Sequence, residues 1–326
     1  MPDSRLVVIG NGMAGARTVE EILGRGGGDQ FTITVFGDEP YGNYNRIQLS
    51  NVLAGSETPD AIYLNTVDWY RDNGIDLRAG VRVVRIDSYA KTVFADDGSI
   101  VGYDKLIIAT GSRAFFPPID GLWVDNKTLV SGVFGFRTLD DTAAMIEYAD
   151  GHRHVAVVGG GLLGLEAARG LQNRGLRSTV VHSGPILMNA QLDETGGAVL
   201  RRAIENLGIE VLMGKRTTAI YSDAENAVTG IGFADGTAVD CDMLVLSTGI
   251  RPNVGLAQAA GLTVERANLH NLQDVTAAIP LKRLVAVTGV SGSGKSTFAR
   301  EVLLANVATA VTQSSTKAGR DALAAG

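Results

Sequence analysis

The sequence predicts the α/β class, arranged as two successive strand–turn–helix units with parallel sheets and β-meanders, followed by a further strand-and-loop segment. Three observations predict this. An apolar run enters a glycine fingerprint at Arg5-Leu-Val-Val-Ile-Gly10-Asn-Gly12-Met13-Ala14-Gly15, and another enters one at His154-Val-Ala-Val-Val-Gly159-Gly-Gly161-Leu162-Leu163-Gly164-Leu-Glu166. The landmarks that follow the first fingerprint recur in the same order after the second. A different glycine motif, Gly289 to Thr297, stands apart from both.

Each fingerprint is G-x-G-x-x-G between an apolar strand run and a helical stretch. The first glycine permits the tight turn out of the strand, the second lets backbone approach a pyrophosphate, and the third lets helix and strand pack closely. A pyrophosphate then meets the helix N-terminus, where free N–H groups and the helix dipole favour negative charge. The pair therefore predicts two Rossmann-like dinucleotide-binding domains and two dinucleotides held by one chain.

The remaining elements follow in order. Gly24–Gly28 reads as a loop after the first helix, and Val35-Phe-Gly-Asp-Glu-Pro40 as the end of the second strand. Asn73-Gly-Ile-Asp-Leu, Ala95-Asp-Asp-Gly98 and Asp104-Lys-Leu-Ile-Ile-Ala109-Thr110-Gly111-Ser-Arg113 come next. Gly132–Asp141 bridges the two units. Leu207-Gly-Ile-Glu-Val, Ala234-Asp-Gly236 and Asp242-Met-Leu-Val-Leu-Ser-Thr248-Gly249-Ile-Arg251 repeat the series. The Asp-Gly pairs mark hairpin turns beside alternating runs such as Lys91–Ala95 and Gly230–Ala234. Each unit closes on a buried strand ending in Thr-Gly. Ligands of such sheets lie at the carboxyl ends of the strands, which places Thr110-Gly111 and Thr248-Gly249 at the ligand edge.

Residues 1–266 resemble the FAD-dependent pyridine nucleotide oxidoreductases, most closely the N-terminal flavoprotein part of the assimilatory NAD(P)H nitrite reductase large subunit. The resemblance rests on Gly10-Asn-Gly-Met-Ala-Gly15, Val35-Phe-Gly-Asp-Glu-Pro40, Tyr44-Asn-Arg-Ile-Gln-Leu-Ser50, Ala109-Thr-Gly-Ser112, Gly135-Phe-Arg-Thr-Leu-Asp140 and Thr248-Gly-Ile-Arg-Pro-Asn253. It implies FAD in the first unit and NAD(P)H in the second. The corresponding domains are 1–117, 118–250 and a truncated return to the FAD domain over 251–266.

The resemblance also implies roles for single residues. Glu39 meets the adenosine ribose hydroxyls of FAD, although it lies beyond the usual acidic position, where Gly37 stands. Arg46 lies along FAD, where a guanidinium suits a pyrophosphate. Val83 meets the adenine through its backbone. Glu166 lies close to the nicotinamide. In the second unit an acidic residue after the second strand would select NAD and an arginine NADP. Thr179-Val-Val-His182-Ser183 offers neither, so His182 leaves both coenzymes open.

Hydride transfer from nicotinamide to flavin requires no protein acid or base, so the protein supplies position, electrostatics and exclusion of water. The rest of the sequence agrees. His152, His154, His182 and His270 show no metal-ligand spacing. Cys241 is the single cysteine, which excludes an in-chain disulfide, a Cys-x-x-Cys pair, a Cys-ligated cluster and a Cys-rich zinc site. Nitrite reduction itself, which in the resembled family needs an iron–sulfur and sirohaem module, is outside this chain. The electron acceptor is left open.

After Arg266 the pattern changes. The family would continue to a Gly-Asp segment whose aspartate reaches FAD, and no such segment follows. Instead Leu284-Val-Ala-Val-Thr-Gly289-Val-Ser-Gly292-Ser293-Gly294-Lys295-Ser296-Thr297 is a strand leading into a P-loop. Such loops cradle phosphates on backbone N–H groups, with Lys295 on the terminal phosphates and Ser296 as a ligand of Mg²⁺ if ATP binds. Residues 267–326 resemble an ATP-binding segment of the excinuclease ATPases, which are of the ABC type, without their Leu-Ser-Gly-Gly signature, Walker B strand or zinc cysteines. A gene fusion, a truncated paralogue, a misassembled reading frame and a chimera all produce such a junction.

Composition fits two α/β domains: 326 residues, 45% hydrophobic, with 41 glycines. Net charge is −6. After Arg266 six Lys/Arg face three Asp/Glu, and from residue 1 through Arg266 twenty-three face thirty-two. So acidic a body argues against a nucleic-acid footprint. No apolar run reaches membrane-spanning length and no signal-peptide pattern opens the chain, so the cytoplasm is expected. The function expected is an FAD-dependent NAD(P)H oxidoreductase. The alternatives are a chimeric or truncated product that binds nucleotides without turnover, and an ATP-binding fragment.

Overall fold

The computed structural model describes residues 4–261, together with the backbone of two short paired strands, Ala267–Leu269 and Leu272–Val275. The chain divides into two compact units. Among the described residues, the first comprises 4–43, 64–112 and 252–261; the second comprises Tyr44–Tyr63 and Arg113–Arg251.

The first unit is built on a four-stranded parallel sheet. Its order is Asp76–Ala79, Phe31–Gly37, Ser4–Ile9, Lys105–Ile108. The central strand Ser4–Ile9 is continuously apolar and buried from Leu6 because both faces of the sheet are covered. Leu6, Val8, Ile33, Val35 and Ile107 pack with Val19 of helix α1 (Met13–Gly24) and with Tyr70 of a later helix, Val67–Asp72. Val7, Ile9, Phe36 and Leu106 face the other way, against Val83, Ile86 and Val93. Those three belong to an antiparallel meander, Val83–Asp87, Thr92–Ala95 and Ile100–Gly102. Gly98, at φ +84°, takes the left-handed position of one of its turns.

The second unit repeats the plan with a five-stranded parallel sheet. Its order is Val133–Gly135, Met243–Leu246, His154–Val158, Arg177–His182, Glu210–Met213. Its meander, Thr217–Ser222, Val228–Phe233 and Ala238–Asp240, sets Ile220, Ile231 and Phe233 against Ala156, Val181, Leu244 and Leu246. Cys241 is buried in this cluster, and burial pushes its thiol up to about 12. An aspartate before the last strand ties down the start of the first strand in both units. Asp104 accepts from Arg5 N at 2.8 Å, and Asp242 accepts from His154 N at 2.8 Å and Arg153 N at 2.9 Å.

Two segments depart from the sequence reading. Residues 44–63, placed by chain order in the first domain, cluster with the second unit. The reason is helix packing. Helix α2 (Leu49–Ala54) lies on the helix after the second fingerprint, Leu162–Asn173. Gly170 makes room there, since a Cβ would stand 3.1 Å from Leu53 Cγ, and Arg174 donates to the carbonyls of Val52 and Leu53. The expected loop Gly24–Gly28 is partly helical: Gly24 ends α1, and Gly27–Asp29 forms a 3₁₀ turn. No described helix is long and apolar enough to cross a membrane.

A polar chain crosses three strands of the second sheet. Arg177 Nη2 lies 2.8 Å from His154 Nδ1, His154 Nε2 lies 2.8 Å from Thr179 Oγ1, and Thr179 donates to Glu210 at 2.8 Å. Arginine only donates, so Nδ1 accepts and the imidazole proton sits on Nε2. Burial first, then Arg177, lowers the His154 pKa. The folded protein therefore binds fewer protons here than the unfolded chain, whose histidine titrates near 6.5. The stabilisation is present above about pH 6.5 and is lost as pH falls below it. Urea midpoints measured from pH 7.5 to 5.5 should fall for the parent and change less for His154→Gln. Equal slopes for the two proteins would show that this histidine does not set the acid limit.

Candidate functional site

The two fingerprint loops have the same geometry. In the first unit Gly10 adopts φ +112°, and a Cβ there would lie 2.1 Å from Ala109 O. A Cβ on Gly15 would lie 1.9 Å from Gly10 O. In the second unit Gly159 adopts φ +126°, with a Cβ 2.2 Å from Ser247 O, and a Cβ on Gly164 would lie 1.9 Å from Gly159 O. These four glycines are demanded by backbone contact within the fold. Gly12 and Gly161 differ, since a Cβ on either would meet nothing within 4 Å. Among the described residues nothing demands glycine at those two positions, and the space beside them is open.

That space lies at helix N-termini. Gly12 caps α1, and Gly161 caps Leu162–Asn173, which follows it; neither cap carries a side-chain hydrogen bond, and neither first turn holds an acidic residue. The first N–H groups of a helix lack intrahelical partners and carry the positive end of its dipole. Two uncapped N-termini over open space suit anions such as dinucleotide pyrophosphates. Met13 and Leu162, the first helical residues, are exposed at 37% and 58%, so an apolar surface adjoins each loop. Ala14 and Leu163 beside them are half-buried.

The Thr-Gly strand ends are held by clasps that the motifs did not reveal. Thr110 Oγ1 donates to Asn253 O at 2.8 Å, Asn253 Nδ2 returns a bond to Thr110 O at 2.9 Å, and Asn253 N donates to Gly111 O at 2.9 Å. In the second unit Thr248 Oγ1 donates to Phe115 O at 2.7 Å, and Phe115 N donates to Gly249 O at 3.0 Å. Asn253 stands in the Arg-Pro-Asn run of the sequence, but nothing in its spacing links it to Thr110.

The other candidate residues are spread over both units. Glu39 is half-buried, and its carbonyl accepts from Gly80 N at 2.9 Å. A Cβ on Gly37 would lie 2.9 Å from Asn11 Cβ, which explains why the usual acidic position is empty of a side chain. Val83 is buried and registers with Ala95. Ala109 is buried, and its N–H continues the sheet to Ile9 O at 2.7 Å. Arg46 lies in the second unit, donates to Arg137 O at 2.9 Å and stands over the Tyr44 ring. Glu166 is half-buried on its helix; burial raises its pKa, and a hydrogen bond from Ser50 opposes the rise. The His182 ring turns back on the loop: Gly160 N donates to Nδ1 at 3.2 Å, which places the imidazole proton on Nε2. Nε2 is buried and meets no partner among the described residues. Gly289, Gly292, Ser293, Gly294, Lys295, Ser296 and Thr297 lie outside the described residues. Among the described residues no three His, Cys, Asp or Glu side chains gather as metal ligands.

Paired parallel sheets, each with an open glycine loop at its carboxyl edge, define a protein built to hold two dinucleotides. The profile of the pyridine nucleotide-disulphide oxidoreductase family matches residues 4–291, and the chain belongs to that family. It is 45% identical over 271 residues to a nitrite reductase [NAD(P)H] of Bacillus subtilis, covering 83% of this chain and 32% of the relative. It is 43% identical to the assimilatory nitrate reductase electron transfer subunit of the same organism, covering 83% of this chain and 34% of the relative. The chain thus spans about a third of the length of these curated relatives. Among solved structures, the covalent putidaredoxin reductase–putidaredoxin complex matches with a TM-score of 0.74 at 26% identity, over 81% of this chain and 63% of that one.

The glycine geometry predicts a sharp contrast. Gly15→Ala and Gly164→Ala should each lower unfolding free energy by about 2–4 kcal/mol, since backbone must move. Gly12→Ala and Gly161→Ala should cost no more than about 1 kcal/mol, the scale of exchanging an N-cap residue for alanine. Denaturant unfolding of the four variants checks this, and equal losses at all four would refute the division.

Proposed function

We propose that this chain is an FAD-dependent NAD(P)H oxidoreductase, with FAD on the first unit and NAD(P)H on the second. One observation carries the reading: two uncapped helix N-termini stand over open space at glycines that nothing in the fold requires. The residue set fits the cofactors. Gly10 and Gly15 shape the FAD loop, and Gly12, Met13 and Ala14 present backbone and apolar surface to it. Glu39, Arg46, Val83, Ala109, Thr110 and Gly111 are the further FAD contacts. Gly159, Gly161, Leu162, Leu163 and Gly164 form the nicotinamide nucleotide loop, with Glu166, His182, Thr248 and Gly249 beside it.

Bound FAD and reduced nicotinamide would supply the hydride chemistry. The protein's part is binding and placement. Helix N-termini neutralise the pyrophosphates, and the Thr-Gly clasps keep the strand ends rigid. The half-buried Glu166, its pKa raised by burial, holds a proton to higher pH than an exposed carboxyl does. The single cysteine, buried with its thiol pushed up to about 12, takes no part in electron transfer. The relatives' names support a finer reading, that the chain is the electron-entry region of an assimilatory nitrite reductase. The acceptor then lies in a further redox module or partner. The Gly289–Thr297 motif supports a separate reading as a P-loop taking ATP phosphates, with Lys295 as cation and Ser296 on Mg²⁺.

Purified protein should show flavin absorbance that bleaches when NADH or NADPH is added without oxygen. Gly12→Val should abolish flavin retention. Gly161→Val should retain flavin but resist bleaching, because only the second loop is blocked. A colourless protein that hydrolyses ATP would favour the P-loop reading, and a colourless protein without turnover the non-catalytic one.

A further inference from the structure

Between the first two glycines of each fingerprint stands one residue whose carbonyl is held from behind. In the first loop it is Asn11. Asn43 Nδ2 donates to Asn11 O at 3.1 Å, and Asn43 is buried, 2% exposed. The Asn11 side chain is itself clamped. Tyr70 OH donates to Asn11 Oδ1 at 2.6 Å, and Asn11 Nδ2 donates to Tyr41 O at 3.3 Å. In the second loop the residue is Gly160. Met188 N donates to Gly160 O at 2.9 Å, from a left-handed conformation with φ +50°. Gly160 N in turn donates to His182 Nδ1 at 3.2 Å. Both donors stand after the second strand of their own unit, in unrelated local sequence.

This carbonyl and the N–H of the following glycine belong to one peptide plane. In a trans peptide they point in opposite directions, and no described peptide bond is cis. A donor that holds the Asn11 carbonyl therefore turns the Gly12 N–H away from Asn43. A donor that holds the Gly160 carbonyl does the same for Gly161. Among the fingerprint glycines, those are the two with open space around them.

We propose that Asn43 in the first unit, and the Met188 peptide in the second, are positioning groups that aim the Gly12 and Gly161 N–H groups at the pyrophosphates of the bound dinucleotides. Asn43 acts through Asn11, and Tyr70 braces it. This rests on the assignment of FAD to the first unit and NAD(P)H to the second. Glycine makes the approach possible, and the held carbonyl decides where the N–H points.

The test uses the full chain freed of flavin and titrated with FAD, followed by flavin fluorescence, with NADPH and NADH binding measured in parallel. Asn43→Asp replaces the donor by a carboxylate that repels the Asn11 carbonyl. At pH 8 it should weaken FAD binding at least about tenfold, the loss expected when a buried hydrogen bond is broken. Nicotinamide nucleotide binding should not change. As pH is lowered toward 5 the carboxyl regains a proton that can donate to the carbonyl, so FAD affinity should recover toward that of the parent at the same pH. Tyr70→Phe keeps the ring and removes only the hydroxyl, and should speed FAD dissociation several-fold with nicotinamide nucleotide binding intact; it decides the matter if Asn43→Asp does not fold. Unchanged FAD affinity in a folded variant, or equal loss of both nucleotides, overturns the proposal while leaving the functional reading in place. A parent that binds no FAD overturns both.

Discussion

A helix that begins in direct contact with the turn feeding it leaves no room for side chains at that junction. In both units the third fingerprint glycine stands so close to the carbonyl of the first that an added Cβ would fall 1.9 Å from it. This contact sets where α1 and its counterpart start and points their first N–H groups past the carboxyl end of the sheet. Each sheet, its meander and its Thr-Gly strand end are arranged around that junction. If either contact were relaxed, the helix N-terminus would no longer present itself to a ligand.

The internal duplication is deeper in geometry than in sequence. The aspartates at 104 and 242 anchor the first strands by the same kind of bond. The Thr-Gly ends are clasped in both units, but by Asn253 in one and Phe115 in the other. The loop carbonyls are held in both, by a side-chain amide in one and a main-chain amide in the other. Backbone position has been kept while the residues that enforce it have diverged. That is the expected outcome when the ligand reads N–H groups rather than side chains.

The parallel sheets, the meanders and the glycine loops were legible in the sequence because their signals are local. Apolar runs, Asp-Gly turns and G-x-G-x-x-G each lie within a short stretch. Partners distant in the chain were not legible. Nothing in Tyr44-Asn-Arg-Ile-Gln-Leu-Ser50 announces that its helix packs on Leu162–Asn173. His182 left both coenzymes open in the sequence, and only the structure places its ring against Gly160 N. The empty acidic position at Gly37 is likewise explained only by the approach of Asn11.

From its sequence alone this protein is a twin dinucleotide binder with a single cysteine and no metal-ligand pattern, since composition and short motifs suffice for that. Which fingerprint glycines the backbone demands and which stand beside open space was decided only in three dimensions. The distinction depends on what a Cβ would touch, and for Gly10 and Gly159 the touching atoms come from Ala109 and Ser247, far along the chain from the loops they meet. The hold on each loop carbonyl is tertiary for the same reason, because a hydrogen bond from Asn43 to Asn11 exists only once the strand between them has been laid in the sheet.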